Sequence, residues 1–300
     1  YSTEIKEYID NQMKNGEIVM LENLRFDPRE KSNDREFSES IASLADIYVN
    51  DAFGAAHRAH ASVVGVPEFI PAVSGLLLEK EIERLAALLE SPGRPFLAIL
   101  GGSKVSDKIQ VIKNLLSKVD SLILGGGMTY TFLKAKGLEI GTSICEDGQL
   151  DYAKEMIGLA EKNNVNLLLP VDITIAREFD KDAEAREVPI ENIPADWMGL
   201  DIGTMTIDLF AENIAEAKTI FWNGPVGVFE WERFSKGTKS IAFAIARSKA
   251  VTVAGGGDTV AAIKKYGLSD KFSHISSGGG ASMELLEGKI LPGIAALMKK

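Results

Sequence analysis

Short apolar runs alternate with amphipathic stretches along most of this chain, and the alternation limits the folds it can adopt. The run Phe96–Leu100, for example, precedes an amphipathic stretch over Lys104–Leu116, and a second run follows at Ser121–Leu124. Apolar runs of this length predict strands buried on both faces, and the amphipathic stretches predict helices that cover them. The pattern therefore predicts an α/β fold of parallel sheets covered by helices.

A run of helix-breaking residues divides the alternation into two parts. Ser91–Pro95 contains two prolines and a glycine, and it directly follows a helix predicted over Leu76–Leu89. With 300 residues the chain is long enough for two domains, each with its own core. We therefore place the main domain boundary at this break.

The composition excludes several classes of protein. Hydrophobic residues make up 45% and charged residues 25%, which is ordinary for a globular protein and unlike a disordered chain. No apolar run approaches the roughly 18 residues of a spanning helix. The net charge of −10 argues against a general nucleic-acid binder. Cys145 is the one cysteine, which excludes a disulfide framework and fits a reducing cytoplasm.

Several segments carry further expectations about local structure. The residue pattern predicts strands at Ile18–Leu21, Asn166–Leu169 and Asp172–Ile175. It predicts a charged, irregular surface excursion over Glu178–Pro194. It also predicts a helix over Met283–Lys299 that breaks at its proline and glycine.

The stretch Leu97–Val111 combines a buried strand, two glycines and the start of a helix. Open backbone N–H groups at such a turn, together with a helix N-terminus, favour a bound anion. If the helix starts at the turn, Lys104 and Lys108 share one face and can reach that anion. Asp107 beside them suits a divalent cation that arrives with a phosphate. An ordinary turn with two solvated lysines remains the alternative.

Five predicted strand ends carry a glycine cluster. These clusters are Gly101-Gly102, Gly125–Gly127, Trp222–Gly227, Gly255–Gly257 and Gly278–Gly280. In open α/β sheets ligands bind just beyond the carboxyl ends of the strands, and glycine lets a ligand approach the backbone closely. One cluster alone suits a tight turn, but five on one predicted edge favour a nucleotide or polyphosphate site.

Common active-site signatures are absent from the sequence. It contains no G-x-x-x-x-G-K-[ST], no G-x-G-x-x-G and no G-x-S-x-G. These absences weigh against a P-loop protein, a conventional dinucleotide fold and an α/β-hydrolase. His57 and His60 have no third partner in view, so they do not indicate a zinc site.

Charged residues near other predicted strand ends have two interpretations each. Asp258 follows three glycines at the start of a helix, so it could cap that helix or hold Mg²⁺, and Thr259 offers a hydroxyl and an N–H to a phosphate. Arg25 and Arg58 each follow a predicted strand. With His57 they suit a small anionic substrate, because arginine binds carboxylate and phosphate through two hydrogen bonds. Isolated surface arginines are the alternative.

Nine motifs together resemble those of the phosphoglycerate kinase family, and they occur in that family's order. They are MLENLRF (20–26), DAFGAAHRAHAS (51–62), LGGSKVSDKI (100–109), GGGMTYTFL (125–133), LPVD (169–172), WMGLDIG (197–203), WNGPVGVFE (222–230), AGGGDT (254–259) and SSGGGASMELLEGK (276–289). They span nearly the whole chain, and nine motifs in register form a highly specific match.

The resemblance implies two Rossmann-like domains joined by a helix, with an active site in the cleft between them. A phosphoglycerate-binding domain would occupy 1–75, the joining helix and linker 76–95, a nucleotide-binding domain 96–284, and a segment returning to the first domain 285–300. The implied reaction is reversible phosphoryl transfer between 1,3-bisphosphoglycerate and ADP, giving 3-phosphoglycerate and ATP with Mg²⁺ as cofactor. We expect a cytoplasmic monomer that binds neither nucleic acid nor membrane.

The resemblance also implies roles for individual residues. Lys108 would stabilise the transferring phosphoryl group. Gly279 and Gly280 would donate N–H groups to that group, and Arg25 would be a further catalytic residue. The phosphoglycerate would be bound by Arg25, Arg58 and His57.

The implied nucleotide site is larger, and seven of its seventeen residues are glycine. Its residues would be Gly102, Ser103, Lys104, Lys108, Gly126, Gly127, Gly199, Leu200, Asn223, Pro225, Gly227, Val228, Glu230, Gly256, Gly257, Asp258 and Thr259. Glu230 would contact the ribose, and Asp107 and Asp258 would lie near the metal. Such an inventory suits phosphoryl transfer, which needs positioning and charge neutralisation more than a nucleophilic side chain.

The chain departs from the family pattern at its start. It begins at Tyr1 and lacks the Asp-Phe-Asn motif, a further substrate arginine and the His-Leu-Gly-Arg motif that open the family's first domain. We therefore expect an incomplete first domain. Two hypotheses stay open beside an active kinase: a truncated nucleotide-binding fragment with little or no turnover, and an interaction protein that kept the fold. Lys108, Asp258 and Glu230 count against the second of these.

Overall fold

The computed structural model describes residues 3–298. The chain forms two compact units. Unit 1 contains the residues up to Glu83 together with those from Gly288 onward, and unit 2 contains Arg84–Glu287. Within residues 3–298, no helix has both the length and the apolar character needed to cross a membrane.

Unit 1 is mainly helical, with one short parallel pair of strands. Its helices and strands in chain order are α1 (Thr3–Asn11), α2 (Pro28–Ser32), α3 (Arg35–Ala42), β1 (Tyr48–Asn50), β2 (Ala72–Ser74), α4 (Leu76–Glu90) and α12 (Pro292–Met298), and α4 continues into unit 2. The carboxylate of Asp34 begins α3 by accepting a hydrogen bond from the N–H of Phe37 at 2.8 Å. Phe37, Phe53 and Leu78 are fully buried and belong to the core of this unit.

The predicted strand at Ile18–Leu21 is wrong. The segment is not in a regular element, and no strand among residues 3–298 pairs with it. Ile18 and Met20 are 92% and 94% exposed, so their side chains gain no packing from an extended backbone. Apolar residues alone do not make a strand, because its backbone groups also need a hydrogen-bonded neighbour.

Unit 2 is built on a six-stranded sheet in which every neighbouring pair is parallel. Its strands are β3 (Phe96–Leu100), β4 (Ser121–Leu124), β5 (Asn166–Leu168), β9 (Thr219–Asn223), β10 (Val251–Gly255) and β11 (His274–Ile275), in the spatial order β11-β10-β9-β3-β4-β5. β3 and β9 are buried along their whole length, as their continuous apolar sequences predict.

Helices cover this sheet and bury their apolar stripes against it. They are α5 (Ile109–Leu115), α6 (Met128–Ala135), α7 (Leu150–Lys162), α8 (Thr204–Glu216), α9 (Lys236–Arg247), α10 (Gly257–Lys265) and α11 (Gly279–Leu286). One core cluster joins Trp222 and Ile220 of β9 to Phe210 of α8 and Ile241 of α9. The predicted α/β fold of parallel sheets and covering helices is confirmed.

A second sheet of three antiparallel strands corrects the prediction for the middle of the chain. β6 (Asp172–Ala176) pairs with β7 (Arg186–Pro189) on one side and with β8 (Met198–Ile202) on the other. The predicted irregular excursion over Glu178–Pro194 therefore contains a strand. β7 is mostly exposed and partly charged, and an edge strand of this kind shows no apolar signal.

Two helix predictions also need correction. The helix predicted over Lys104–Leu116 begins only at Ile109, because Ser106–Lys108 form a 3-10 turn. The helix predicted over Met283–Lys299 is two helices, α11 and α12 (Pro292–Met298). Lys299, the last residue of that prediction, lies outside the described residues. Pro292 begins α12 rather than interrupting a longer helix, which is a position that proline tolerates.

Candidate active site in unit 2

All five glycine clusters lie at one edge of the large parallel sheet. The strands that precede them, β3, β4, β9, β10 and β11, are consecutive in the sheet order, and each cluster follows the carboxyl end of its strand. This is the edge at which parallel α/β sheets bind ligands. The geometry therefore brings together the backbone groups that sequence analysis placed on one edge.

The loops at this edge pack directly on one another, and that packing requires glycine. A Cβ atom on Gly101 would lie 2.0 Å from the carbonyl oxygen of Pro225. Gly126 has a φ of +70°, and its Cβ atom would lie 2.7 Å from the carbonyl oxygen of Gly102. The N–H of Gly101 donates to Asn223 O at 2.9 Å, and the N–H of Gly126 donates to Val226 O at 3.0 Å. The edge is thus a fixed framework of main-chain groups.

A cavity of about 760 Å³ opens at this edge. Eleven of the predicted nucleotide-site residues line it, and they are Gly102, Ser103, Gly126, Gly127, Gly199, Leu200, Pro225, Gly227, Val228, Glu230 and Asp258. Its size is in the range of ordinary small-molecule sites. Lys104, Lys108, Asn223, Gly256, Gly257 and Thr259 are outside its lining.

Sequence analysis missed the apolar and aromatic part of the cavity. The missed lining residues are Tyr130, Thr142, Ile144, Phe179, Met198, Val226 and Trp231. The rings of Phe179 and Trp231 lie 4.5 Å apart between centroids. Trp231 could have been predicted as a site residue because it directly follows Glu230. Phe179 could not, because it lies in the stretch interpreted as a surface excursion.

Three of the predicted residues outside the lining, Lys108, Asn223 and Thr259, form hydrogen bonds beside the cavity. Lys108 donates from Nζ to Oδ1 of Asn223. The amide nitrogen of Asn223 donates to Gly255 O at 2.9 Å, and a Cβ atom on Gly256 would lie 2.8 Å from that nitrogen. Thr259 accepts a hydrogen bond from the N–H of Gly224 at 2.6 Å. Through Asn223, Lys108 is linked to the ends of two strands, β9 and β10.

The ammonium group of Lys108 is held in a largely water-excluded place. Burial lowers its pKa to about 8, although the carboxylates of Asp107 and Asp258 oppose that shift. A buried cation of this kind gains free energy when an anion binds beside it. The arrangement therefore favours a negatively charged oxygen next to Lys108.

Lys104 does not share this position. It is exposed and precedes the 3-10 turn, so the helical face that would have joined it to Lys108 does not form. The expectation of two lysines side by side on one helix is wrong for that reason.

Asp258 and Gly257 lie at the start of α10, next to the cavity. Gly256, with a φ of +94°, precedes the helix, and Asp258 stands in its first turn rather than capping it. The first N–H groups of α10 therefore remain open to an anion, in keeping with the dipole of a helix N-terminus. Gly279, at the start of α11, is adjacent: its Cβ atom would lie 3.3 Å from Gly256 Cα. Gly280 follows it in the same first turn.

The carboxylates available for a metal are few. Among residues 3–298 no group of three or more His, Cys, Asp or Glu side chains could hold a metal ion by itself. Asp107 and Asp258 both lie close enough to Lys108 to influence its pKa. One or two carboxylates suit Mg²⁺ when substrate phosphates supply the remaining oxygens. The residues present therefore fit a metal that arrives with a nucleotide.

The three predicted phosphoglycerate residues lie in unit 1, and two of them share a neighbour. Arg25 and Arg58 are exposed, and both lie close enough to His60 for their charges to lower its pKa, to which burial contributes most. His57 is half-buried on the same loop as Arg58. Sequence analysis considered His60 only as a metal ligand and left it out of this basic group.

The buried carboxylate of Glu30 braces the loop that carries these residues. It accepts hydrogen bonds from Ser62, at 3.0 Å from the N–H and 2.6 Å from the hydroxyl. One of its oxygens also lies 3.7 Å from Nδ1 of His60. Glu30 thus holds the loop at Ser62 and lies next to the ring of His60.

Comparison with known proteins identifies the family of this chain. The phosphoglycerate kinase family pattern matches residues 1–289. A phosphoglycerate kinase from Clostridium botulinum (strain Alaska E43 / Type E3) is 59% identical over 287 residues, which are 95% of this chain and 72% of the relative. One from Dictyoglomus turgidum is 55% identical over 298 residues, or 99% of this chain and 75% of the relative.

Solved structures agree with the sequence matches. The structure of phosphoglycerate kinase from Coxiella burnetii has a TM-score of 0.88 at 48% identity, and the match covers 92% of this chain and 71% of that one. The enzyme from Pyrococcus horikoshii OT3 gives 0.82 at 35% identity, over 95% and 74% of the two chains. The predicted family and the predicted kinase class are confirmed, and the alternative of a truncated fragment is not favoured.

Proposed function

This chain belongs to the phosphoglycerate kinase family, and we propose that it transfers a phosphoryl group reversibly between 1,3-bisphosphoglycerate and ADP. The products in that direction are 3-phosphoglycerate and ATP. The observation that carries the proposal is the cavity at the glycine edge of unit 2, with the half-buried cation of Lys108 beside it. Neither a nucleophile nor a general base is needed for this reaction, because positioning and charge neutralisation supply the catalysis.

The nucleotide occupies the cavity in this proposal. Its base lies against the apolar wall of Leu200 and Val228, and Glu230 at the rim accepts a hydrogen bond from the ribose. The phosphates lie over Gly102 and the open N–H groups at the start of α10, where Thr259 adds a hydroxyl. The remaining predicted glycines allow this close approach of ligand to backbone.

Lys108 stabilises the phosphoryl group during transfer. Its amine is already desolvated and aimed at the edge by its hydrogen bond to Asn223, so little reorganisation is required when negative charge develops. Gly279 and Gly280 add N–H groups at the start of α11, next to Gly256. The site thus supplies fixed positive charge and fixed donors.

We assign Mg²⁺ to the nucleotide phosphates, with Asp107 and Asp258 as the carboxylates that would hold it. The bound ion would neutralise phosphate charge. Both carboxylates also lie close enough to Lys108 to act on its pKa.

The acidic substrate is assigned to unit 1. Arg25 and Arg58 are exposed cations around His60, and together with His57 they suit the carboxylate and phosphate of a phosphoglycerate. We place the phosphoglycerate-binding domain at 1–75 and the nucleotide-binding domain at 96–284. The proposal also takes the protein to act as a cytoplasmic monomer without nucleic-acid or membrane partners, which rests on the family resemblance and the acidic composition.

Two measurements on this chain test the proposal. Calorimetry with Mg-ADP should show one binding site, and a coupled assay with 3-phosphoglycerate and ATP should show turnover. Binding without turnover would support the fragment hypothesis instead. Absence of nucleotide binding would contradict both.

A further inference from the structure

A buried carboxylate that the mechanism does not use lies directly behind the cavity wall. Asp201 stands on β8, one residue after Leu200, and is 3% exposed. One oxygen accepts a hydrogen bond from the N–H of Gly237 at 2.7 Å, and the other accepts from the N–H of Ile202 at 2.9 Å. It thereby joins β8 to the first turn of α9.

Two glycines make room for this carboxylate. A Cβ atom on Gly227 would lie 2.0 Å from Oδ1 of Asp201, and one on Gly237 would lie 2.3 Å from the same oxygen. Neither glycine has a positive φ that would explain its presence otherwise. The close approach of the carboxylate is therefore the physical reason for glycine at both positions.

Asp201 is also the sequence neighbour of Leu200, which lines the cavity. Leu200 and Val228 both line it, and the N–H of Val228 donates to Leu200 O at 2.8 Å. The N–H of Val226 donates to the hydroxyl of Thr238, next to Gly237, at 3.1 Å. Asp201 thus fixes the first turn of α9, and that turn holds the loop that forms the wall.

We propose that Asp201 is a positioning residue for the nucleotide: its carboxylate sets the spacing between Leu200 and the Gly227–Val228 loop, and so sets the affinity for ADP. The inference rests on the proposed function of the cavity. Asp201 itself does not line the cavity, so it acts through the wall and not by contact with the ligand.

The charge of this carboxyl group changes near neutral pH. Burial raises its pKa to about 7, although the two N–H donors favour the ionised form. Glu187 on β7 raises the pKa further and Lys236 at the start of α9 lowers it. The hydroxyls of Tyr130 on α6 and Tyr266 after α10 also face it.

The ionised form should hold the wall better, because a carboxylate accepts stronger hydrogen bonds from Gly237 and Ile202 than a neutral acid does. ADP should therefore prefer the ionised protein. By the reciprocity of linked equilibria, bound ADP should raise the acid dissociation constant of Asp201 by the same factor by which ionisation tightens ADP binding, and so lower its pKa.

The test compares Asp201→Asn with the wild-type chain by calorimetry with Mg-ADP from pH 6 to pH 8. The ratio of the two Kd values cancels the ionisation of ADP and of the groups that do not interact with Asp201. We expect this ratio to rise with pH, to about tenfold at pH 8. A matched control is Asp172→Asn, a buried carboxylate on the neighbouring strand β6 that caps α8 through the N–H of Thr206 at 2.7 Å and does not line the cavity. Its ratio should stay near one.

Each outcome has a definite meaning. A ratio near one at every pH, with only a lowered Tm, would overturn the positioning role. A wild-type chain that binds no ADP would overturn the proposed function instead. If Asp201→Asn does not fold, ¹³C NMR of the wild-type carboxyl group answers the same question: its titration should move to lower pH when ADP binds, and an unmoved titration contradicts the proposal.

Discussion

The two units of this chain present their functional residues in different ways. In unit 2 the candidate site is mostly backbone, set by the ends of five adjacent parallel strands whose loops pack within hydrogen-bond distance of one another. In unit 1 the candidate site is a group of exposed side chains, and the only sheet among the described residues is a pair of three-residue strands. The backbone groups of the first site are held by the hydrogen bonds of the sheet and its loops. The side chains of the second site depend on local contacts, such as those that Glu30 makes with Ser62.

Because of this difference, we expect substitutions in the two units to change different quantities: the rate of transfer, the stability of the fold or the affinity for a substrate. The largest effect should come from Lys108→Ala. Because Lys108 stabilises charge that develops only during transfer, kcat should fall about 100- to 1,000-fold while the Kd for ADP changes by less than about threefold. The measurement is steady-state kinetics beside calorimetry.

The control for this prediction is Lys113→Ala, an exposed lysine on α5 that lies 3.6 Å from Glu155. It should leave both quantities unchanged. Equal losses of rate and affinity in Lys108→Ala would contradict the assigned role.

Gly101→Ala tests the rigidity of the backbone site. Its new Cβ atom would lie 2.0 Å from Pro225 O, a backbone atom that cannot move aside easily, so the free energy of unfolding should fall by about 1–3 kcal/mol. Denaturant unfolding measures it. Gly158→Ala on α7 meets nothing within 4 Å and should be slightly stabilising. Similar losses in both variants would show that packing at the glycine edge is not special.

Arg58→Ala tests the side-chain site of unit 1. The KM for 3-phosphoglycerate should rise about tenfold, since a charge-assisted hydrogen bond is lost, while the Kd for ADP stays the same. Steady-state kinetics with varied 3-phosphoglycerate measures the change. Arg35→Ala is a matched surface arginine of the same unit, 4.0 Å from Glu68, and should have no effect. An unchanged KM in Arg58→Ala would remove this arginine from the substrate site.

The smallest effect is a pH dependence of stability in unit 2. The folded pKa of Asp201, about 7, lies above its usual value of 3.8, so the folded chain binds this proton more tightly than the unfolded chain. The stability that the proton contributes is therefore lost as pH rises toward 7. Relative to Asp201→Asn, the wild-type free energy of unfolding should fall by about 1 kcal/mol between pH 6 and pH 7. Parallel curves for the two proteins would contradict this.

Sequence patterns predicted unit 2 better than unit 1, and the reason is physical. β3 and β4 occur at the predicted residues because continuous apolar runs between turns leave few alternatives. β7 was missed because an exposed edge strand has no apolar periodicity. The strand predicted at Ile18–Leu21 failed because pairing, which a local pattern does not contain, decides whether an extended segment is a strand.

The candidate site, like the fold, could be predicted only in part from the sequence. Glycine clusters at strand ends mark where a ligand meets backbone, so Gly102 and Gly126 could be placed from sequence alone. The cavity's aromatic wall could not, because Phe179 comes to the site through the small antiparallel sheet and not through the main alternation. Asp201 gave no signal beyond its motif, since its role depends on two glycines distant in sequence that leave space for it.

The central claim is that the glycine edge of unit 2 binds the nucleotide. A crystal structure of this chain with Mg-ADP tests it most directly. We predict the base against Leu200 and Val228 and the phosphates at the start of α10, within reach of Lys108. ADP seated elsewhere, for example in the polar hollow lined by Arg94 and Asp120 at the opposite end of β3, would contradict the account.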